Sequence, residues 1–207
     1  MKIFCIGFNK TGTKSLHKIF LAIGLKSVHS DIWTDWACAH DVKNLDRYDA
    51  FTDGECGDFM WLKETYPDAL FFLNTRNLKN WLISRYNHTE KMKLVGITSS
   101  DNSSVESIKD WILTRNNYHK KVMGFFGEDI TVIDIEAEKD EELKQKLSTK
   151  LNSKVTEIPN LWRIGAHPNL EYEYVREIKM VDDALLELNI VENDYEKIYI
   201  PSLGVGI

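Results

Sequence analysis

The sequence predicts a three-layer α/β protein, a central and mostly parallel β-sheet flanked by helices. Three observations predict it. Short apolar runs alternate with segments of helical spacing as far as about residue 151. One run, Ala-Leu-Phe-Phe-Leu at 69–73, is continuously apolar, as suits a parallel strand buried on both faces. The first run leads through a glycine-containing loop into an amphipathic helix.

The elements follow in order. Residues 3–8 form a strand that gives way to a loop holding Gly7, Asn9 and Gly12. Leu16, Ile19, Phe20 and Ile23 then recur at helical spacing over 15–25, with Gly24 as a C-terminal stop. Residues 26–28 read as a second strand and 35–45 as a helix. A third strand at 48–52 is followed by the polar turn Asp53-Gly54-Glu55. Residues 59–66 are helical, and Pro67-Asp68 turns the chain into the 69–73 strand. That strand ends in Asn74-Thr75-Arg76, and a helix runs from about 78 to 86. Residues 93–104 read as a mobile loop and 105–126 as one long helix carrying Trp111, Ile112, Tyr118 and Val122. A strand at 130–135 and a charged amphipathic helix at 138–151 complete the pattern. The Glu- and Lys-rich stretch 138–150 is read as a solvated helix face. The tail suggests a helix at 181–188 and a short strand at 198–200. No internal repeat and no low-complexity linker interrupts the chain, so residues 1–207 are read as one domain. Within it, about 93–126 forms a lid loop and helix, and 170–207 a C-terminal extension.

Composition narrows the class. The 207 residues are 43% hydrophobic and 28% charged, enough for a full core. A net charge of −6 gives no global basic field for nucleic acid, so a bound polyanion must meet cations gathered locally. The three cysteines, Cys5, Cys38 and Cys56, form no zinc-type spacing, and no metal site is expected. An odd cysteine count without a secretory leader favours a cytoplasmic protein. No apolar run approaches the roughly 20 residues of a membrane helix.

The most informative segment is Gly7-Phe8-Asn9-Lys10-Thr11-Gly12-Thr13-Lys14-Ser15. Backbone N–H groups at a helix start, with the helix dipole, make an anion site. Gly12 lets the backbone approach a phosphate. Thr11, Thr13 and Ser15 add hydroxyls, and Lys10 and Lys14 add charge. The pattern is P-loop-like without being a Walker A loop. That motif, started at Gly7, needs lysine where Thr13 stands, and Lys14-Ser15 comes one place late.

Here the sequence resembles the PAPS-dependent sulfotransferases, in particular their small bacterial-type members. Their 5′-phosphosulfate loop commonly reads Lys-x-Gly-Thr followed by small hydroxyl residues, and Lys10 to Ser15 match except at Lys14. The family's second element is a strand ending in Arg with Ser eight positions later, where Arg76 and Ser84 stand. The likeness covers about residues 1–90, is weaker over 130–169 and is absent from the tail. It implies a P-loop-like fold that binds PAPS, moves its sulfuryl group to a hydroxyl or amine and releases PAP. It also implies that Lys10 to Ser15 hold the 5′-phosphosulfate, that Arg76 and Ser84 hold the 3′-phosphate, and that no metal takes part.

Sulfuryl transfer is in-line displacement at sulfur. Charge grows on the leaving phosphate oxygen, so a cation there stabilises the transition state, and Lys10 is assigned that role. The acceptor must lose a proton, so a base is needed. Asp53, after the third strand, is the first candidate, with His29 and Glu55 as rivals. The acceptor is a small molecule or carbohydrate whose identity the residues leave open; no nucleic-acid or membrane partner is expected, and a homodimer is admitted. Bland readings stand beside these. Arg76 alone would be a surface ion pair, Ser84 an ordinary helix serine, and Lys14 a solvated cation. The tryptophans at 33, 36, 61, 81, 111 and 162 are packing residues by default, with one of them open to stack on adenine. Arg163 and His167 are further candidates for nucleotide contact. Two other functions compete. A small-molecule kinase using ATP and magnesium would need Asp134 as its metal carboxylate, and a non-catalytic nucleotide-binding protein would need no base.

Overall fold

The computed structural model describes residues 1–96, 104–134, 136–138, 140–157, 175 and 177–204. Five strands, β1 (Ile3–Cys5), β2 (Ser27–His29), β3 (Ala50–Thr52), β4 (Leu70–Thr75) and β5 (Thr131–Asp134), form one sheet in the order β2-β3-β1-β4-β5. Every pairing is parallel. Around them run α1 (Thr13–Ala22), α2 (Ile32–Cys38), α3 (Val42–Leu45), α4 (Phe59–Thr65), α5 (Leu78–Leu94), α6 (Val105–Phe126), α7 (Asp140–Leu151) and α8 (Lys179–Glu187).

The described residues divide into two compact units. One takes its described residues from Met1–Thr75 and Phe125–Ile164, the other from Arg76–Gly124 and Gly165–Ile207. The first holds the whole sheet. Alternation along β1 explains its two packed faces. Ile3 and Cys5 point to the side where α1 supplies Leu16, Ile19 and Phe20 and α7 supplies Leu143, Leu147 and Leu151. Phe4 points to the other side, stacking on Phe51 at 4.8 Å and Phe71 at 5.4 Å between ring centroids, with buried Trp33 tilted at 6.0 Å. Burial on both faces is why these strands lack a polar alternation. In the second unit, Trp81, Leu82, Ile108, Ile112, Val181 and Leu185 are buried.

Three segments differ from the sequence reading. The helix expected over 35–45 is two, because His40 takes φ 54° and Asp41 starts α3 afresh, its side chain accepting from the N–H of Asn44. Helix α5 runs on to Leu94, past the expected end near 86; of the expected loop at 93–104, residues 97–103 lie outside the described residues. The expected strand at 198–200 does not form. Side chains of α6 take its backbone partners instead: Asn116 accepts from the N–H of Ile200 and donates to the carbonyls of Ile200 and Leu203, and His119 Nδ1 donates to that of Ile198. A segment satisfied by side chains has no need of a strand partner.

Candidate active site

The carboxyl ends of β1, β2 and β3 gather the first unit's polar residues at one sheet edge, where ligands bind in open parallel sheets. The loop leaving β1 carries two left-handed residues, Lys10 at φ 64° and Gly12 at φ 83°. Glycine takes that conformation without steric penalty. At lysine it costs on the order of 1–3 kcal/mol and persists only where the surroundings hold it. Gly12 is the N-cap of α1, its carbonyl accepting from the N–H groups of Ser15 and Leu16. Among the described residues no side chain caps that helix start, and no acidic residue occupies its first turn. Uncapped N–H groups with Lys10 and Lys14 beside them suit an anion. Lys10 is half-buried, Lys14 exposed, and Thr13 and Ser15 buried.

A residue the sequence reading passed over braces this loop. Asn74, fully buried near the end of β4, accepts from the N–H of Gly7 at 3.0 Å and donates through Nδ2 to Thr11 Oγ1. The Thr11 hydroxyl in turn donates to the carbonyl of Phe8. The one proton of Thr11 Oγ1 is thus spent within the loop, so the hydroxyl has none to give a ligand. Gly7 is required by the same approach: a Cβ there would lie 1.9 Å from the Asn74 carbonyl oxygen. The available signal was an amide closing a run that is otherwise apolar.

Asp53 follows β3 in a left-handed conformation, φ 76°. Its Oδ1 accepts from Thr13 Oγ1 at 3.1 Å, and its Oδ2 lies 3.8 Å from His29 Nε2. The structure therefore brings two of the three candidate bases together, against the phosphate-type loop. His29 ends β2, with Nδ1 3.1 Å from Thr52 Oγ1, and the Thr52 hydroxyl donates to the carbonyl of Val28. A hydroxyl whose only proton is committed to Val28 must accept from His29. In the neutral ring the proton therefore sits on Nδ1, and Nε2 presents its lone pair toward Asp53. Burial holds the His29 pKa below the ordinary histidine value; Asp53 opposes this, while Lys14 and Lys10 reinforce it. His17 stacks on His29 at 5.5 Å and is lowered likewise, by burial first and then by His29. Glu55 is half-buried two residues beyond Asp53.

Arg76 and Ser84 belong to the second unit. Arg76 is the first residue after β4, half-buried, and its carbonyl accepts from Arg115 Nη2 at 2.8 Å. Arg115 is itself buried, its guanidinium 5.4 Å from the Trp81 ring centroid. Asn77 caps α5 by accepting from the N–H of Asn80. Ser84 is half-buried on that helix, about 9 Å along it from Leu78.

Of the tryptophans, Trp33 and Trp81 are buried. Trp36 stacks on Tyr48, Trp61 on His40, and Trp111 lies beneath Arg85. Trp162, Arg163 and His167 lie outside the described residues. Asp134 Oδ1 accepts from the N–H groups of Glu136 and Ala137, a turn at the end of β5. Among the described residues, no group of three or more His, Cys, Asp or Glu is placed to hold a metal, and no helix is long and apolar enough to cross a membrane.

A family model described as a sulfotransferase domain matches residues 2–161. The chain belongs to that family. The matched span includes the loop, the Thr13–Asp53–His29 cluster, Arg76 and Ser84. No curated protein matches the chain. The family makes this protein a transferase of sulfuryl groups, and its all-parallel sheet with flanking helices agrees with that fold. The sulfotransferase carries its lysine-flanked loop at its first βα turn.

Proposed function

We propose that this sulfotransferase takes the sulfuryl group from PAPS, passes it to a hydroxyl or amine of a small molecule or carbohydrate, and releases PAP. The observation that carries the reading is the hydrogen bond from Thr13 to Asp53, which sets a carboxylate beside an uncapped, lysine-flanked helix start. A loop that fits a phosphate and a base that reaches its rim are the two halves of sulfuryl transfer.

In this reading the N–H groups of residues 11–14 and the Ser15 hydroxyl, with Lys10 and Lys14, hold the 5′-phosphosulfate. Arg76 and Ser84 hold the 3′-phosphate, Arg76 by charge-assisted hydrogen bonds. Lys10 neutralises the charge that appears on the phosphate oxygen as the sulfur–oxygen bond breaks. Asp53 accepts the acceptor's proton, and His29, with Nε2 3.8 Å from Oδ2, is the rival base. A lid drawn from about 93–126 and a cytoplasmic setting belong to the same proposal.

The test is a thermal-shift comparison of PAP, PAPS, ATP and ATP with magnesium. PAP at about 100 times its Kd should add roughly 2.7 kcal/mol of stability without metal. Stabilisation by ATP–magnesium and none by PAP would replace this reading with a kinase.

A further inference from the structure

Thr13 stands where two demands on one proton meet. It is the first residue of α1, 4% exposed, beside the uncapped N–H groups that suit a phosphate. Its hydroxyl donates to Asp53 Oδ1 at 3.1 Å. A hydroxyl carries a single proton and cannot donate to a carboxylate and to a phosphate oxygen at once. We propose that Thr13 is a positioning residue that redirects its hydroxyl hydrogen bond from the base to the donor. It donates to Asp53 Oδ1 in this structure, and it turns to a phosphate oxygen when the donor binds, leaving Oδ1 open to the acceptor. This rests on the donor reading above.

The consequence is a base that becomes competent only in the donor complex. A donor on Oδ1 occupies the direction from which the acceptor's proton would come. Withdrawing Thr13 opens that direction as the electrophilic sulfur arrives. The transfer then balances. The acceptor oxygen or nitrogen bonds to sulfur, and the sulfur–oxygen bond to the phosphate breaks. Its electron pair stays on PAP, and the acceptor's proton goes to Asp53 Oδ1. His29 Nε2 lies 3.8 Å from Oδ2, with His17 stacked behind it. Lys14 and Lys10 act electrostatically on His29.

A double-mutant cycle read by PAP calorimetry tests the coupling. Its members are the parent, Thr13→Val, Asp53→Gly and the double variant. Glycine suits position 53 because the backbone there is left-handed, φ 76°. Losing Asp53 removes a negative charge near the phosphates and tightens PAP in any background. The part that passes through Thr13 exists only where residue 13 carries a hydroxyl. Asp53→Gly should therefore tighten PAP at least about threefold more in the parent than in Thr13→Val, a coupling of the size contacting pairs show. Thr13→Ser should restore the larger factor, and Thr13→Ala replaces the valine variant if that does not fold. Equal factors in all backgrounds, with PAP binding normally to the parent, overturn this inference alone. A parent that binds ATP–magnesium and not PAP overturns the donor reading, and this inference with it.

Discussion

Lys10 and Lys14 differ in ways that the three residues between them do not suggest. Lys14 is exposed on the first turn of α1, whereas Lys10 is half-buried on a left-handed backbone that lysine adopts only under constraint. A cation fixed in place is suited to charge that appears only in the transition state, and a solvated one to general attraction. Lys10→Ala should therefore lower kcat by about 10²–10³ with a smaller change in PAP affinity, as for loss of one oxyanion donor. Lys10→Arg should restore it only in part, since a planar fork replaces a compact ammonium. Lys14→Ala should act mainly on affinity. Single-turnover transfer with PAP calorimetry separates the two, and a rate carried by Lys14 with Lys10 dispensable would count against the sulfotransferase loop. The lysines, glycines and hydroxyls of this loop were legible as residue types in sequence. The left-handed backbone at Lys10, and the use of the Thr11 hydroxyl inside the loop, were not, because both depend on what β4 places next to β1.

At the scale of elements, the β4 strand matters twice. Its Asn74 spans to the loop after β1, filling the N–H of Gly7 and the hydroxyl of Thr11. Asn74→Ala leaves buried polar groups without that partner, which costs on the order of 1–3 kcal/mol each. Denaturant melts should show the loss, and PAP binding should weaken with it; an unchanged melt would mean that water takes over the brace. The chain leaving β4 begins with Arg76, whose backbone Arg115 holds at 2.8 Å. Arg76→Ala should weaken PAP by roughly 2–5 kcal/mol while scarcely affecting 5′-AMP. Equal losses for the two nucleotides in calorimetry would remove Arg76 from the 3′-phosphate. Alternation of strands and helices could be read from apolar runs, since β1, β3 and β4 are buried on both faces. The order β2-β3-β1-β4-β5 could not, because no local pattern encodes which neighbour a parallel strand chooses. The apolar tail residues Ile198 and Ile200 misled for a related reason. They resemble a strand, yet Asn116 and His119 of α6 satisfy their backbone, and such long-range side-chain partners leave no local trace.

Stability of the whole molecule is tied to pH through histidines that burial keeps neutral. His119 is fully buried on α6, where burial first and the nearby Arg115 second hold its pKa down at about 3, against the opposing hydrogen bond to the Ile198 carbonyl. In the unfolded chain the same ring titrates near the ordinary 6.5. The unfolded state therefore binds a proton that the folded state refuses between those two values. The His119 contribution is complete above about pH 6.5 and is lost progressively as pH falls toward about 3. Each unit in that window removes up to about 1.4 kcal/mol. His29 and His17, both lowered by burial, add to the same trend. Denaturant melts from pH 8 to pH 4 should show stability falling steeply below about 6.5. His119→Asn keeps a donor for the Ile198 carbonyl and deletes the titration. It should start less stable at pH 8 and lose less on acidification. Parallel pH slopes for the parent and His119→Asn would show that the acid sensitivity arises elsewhere, with the carboxylates that hold lysines in place, such as Asp194 with Lys197, as the next groups to vary.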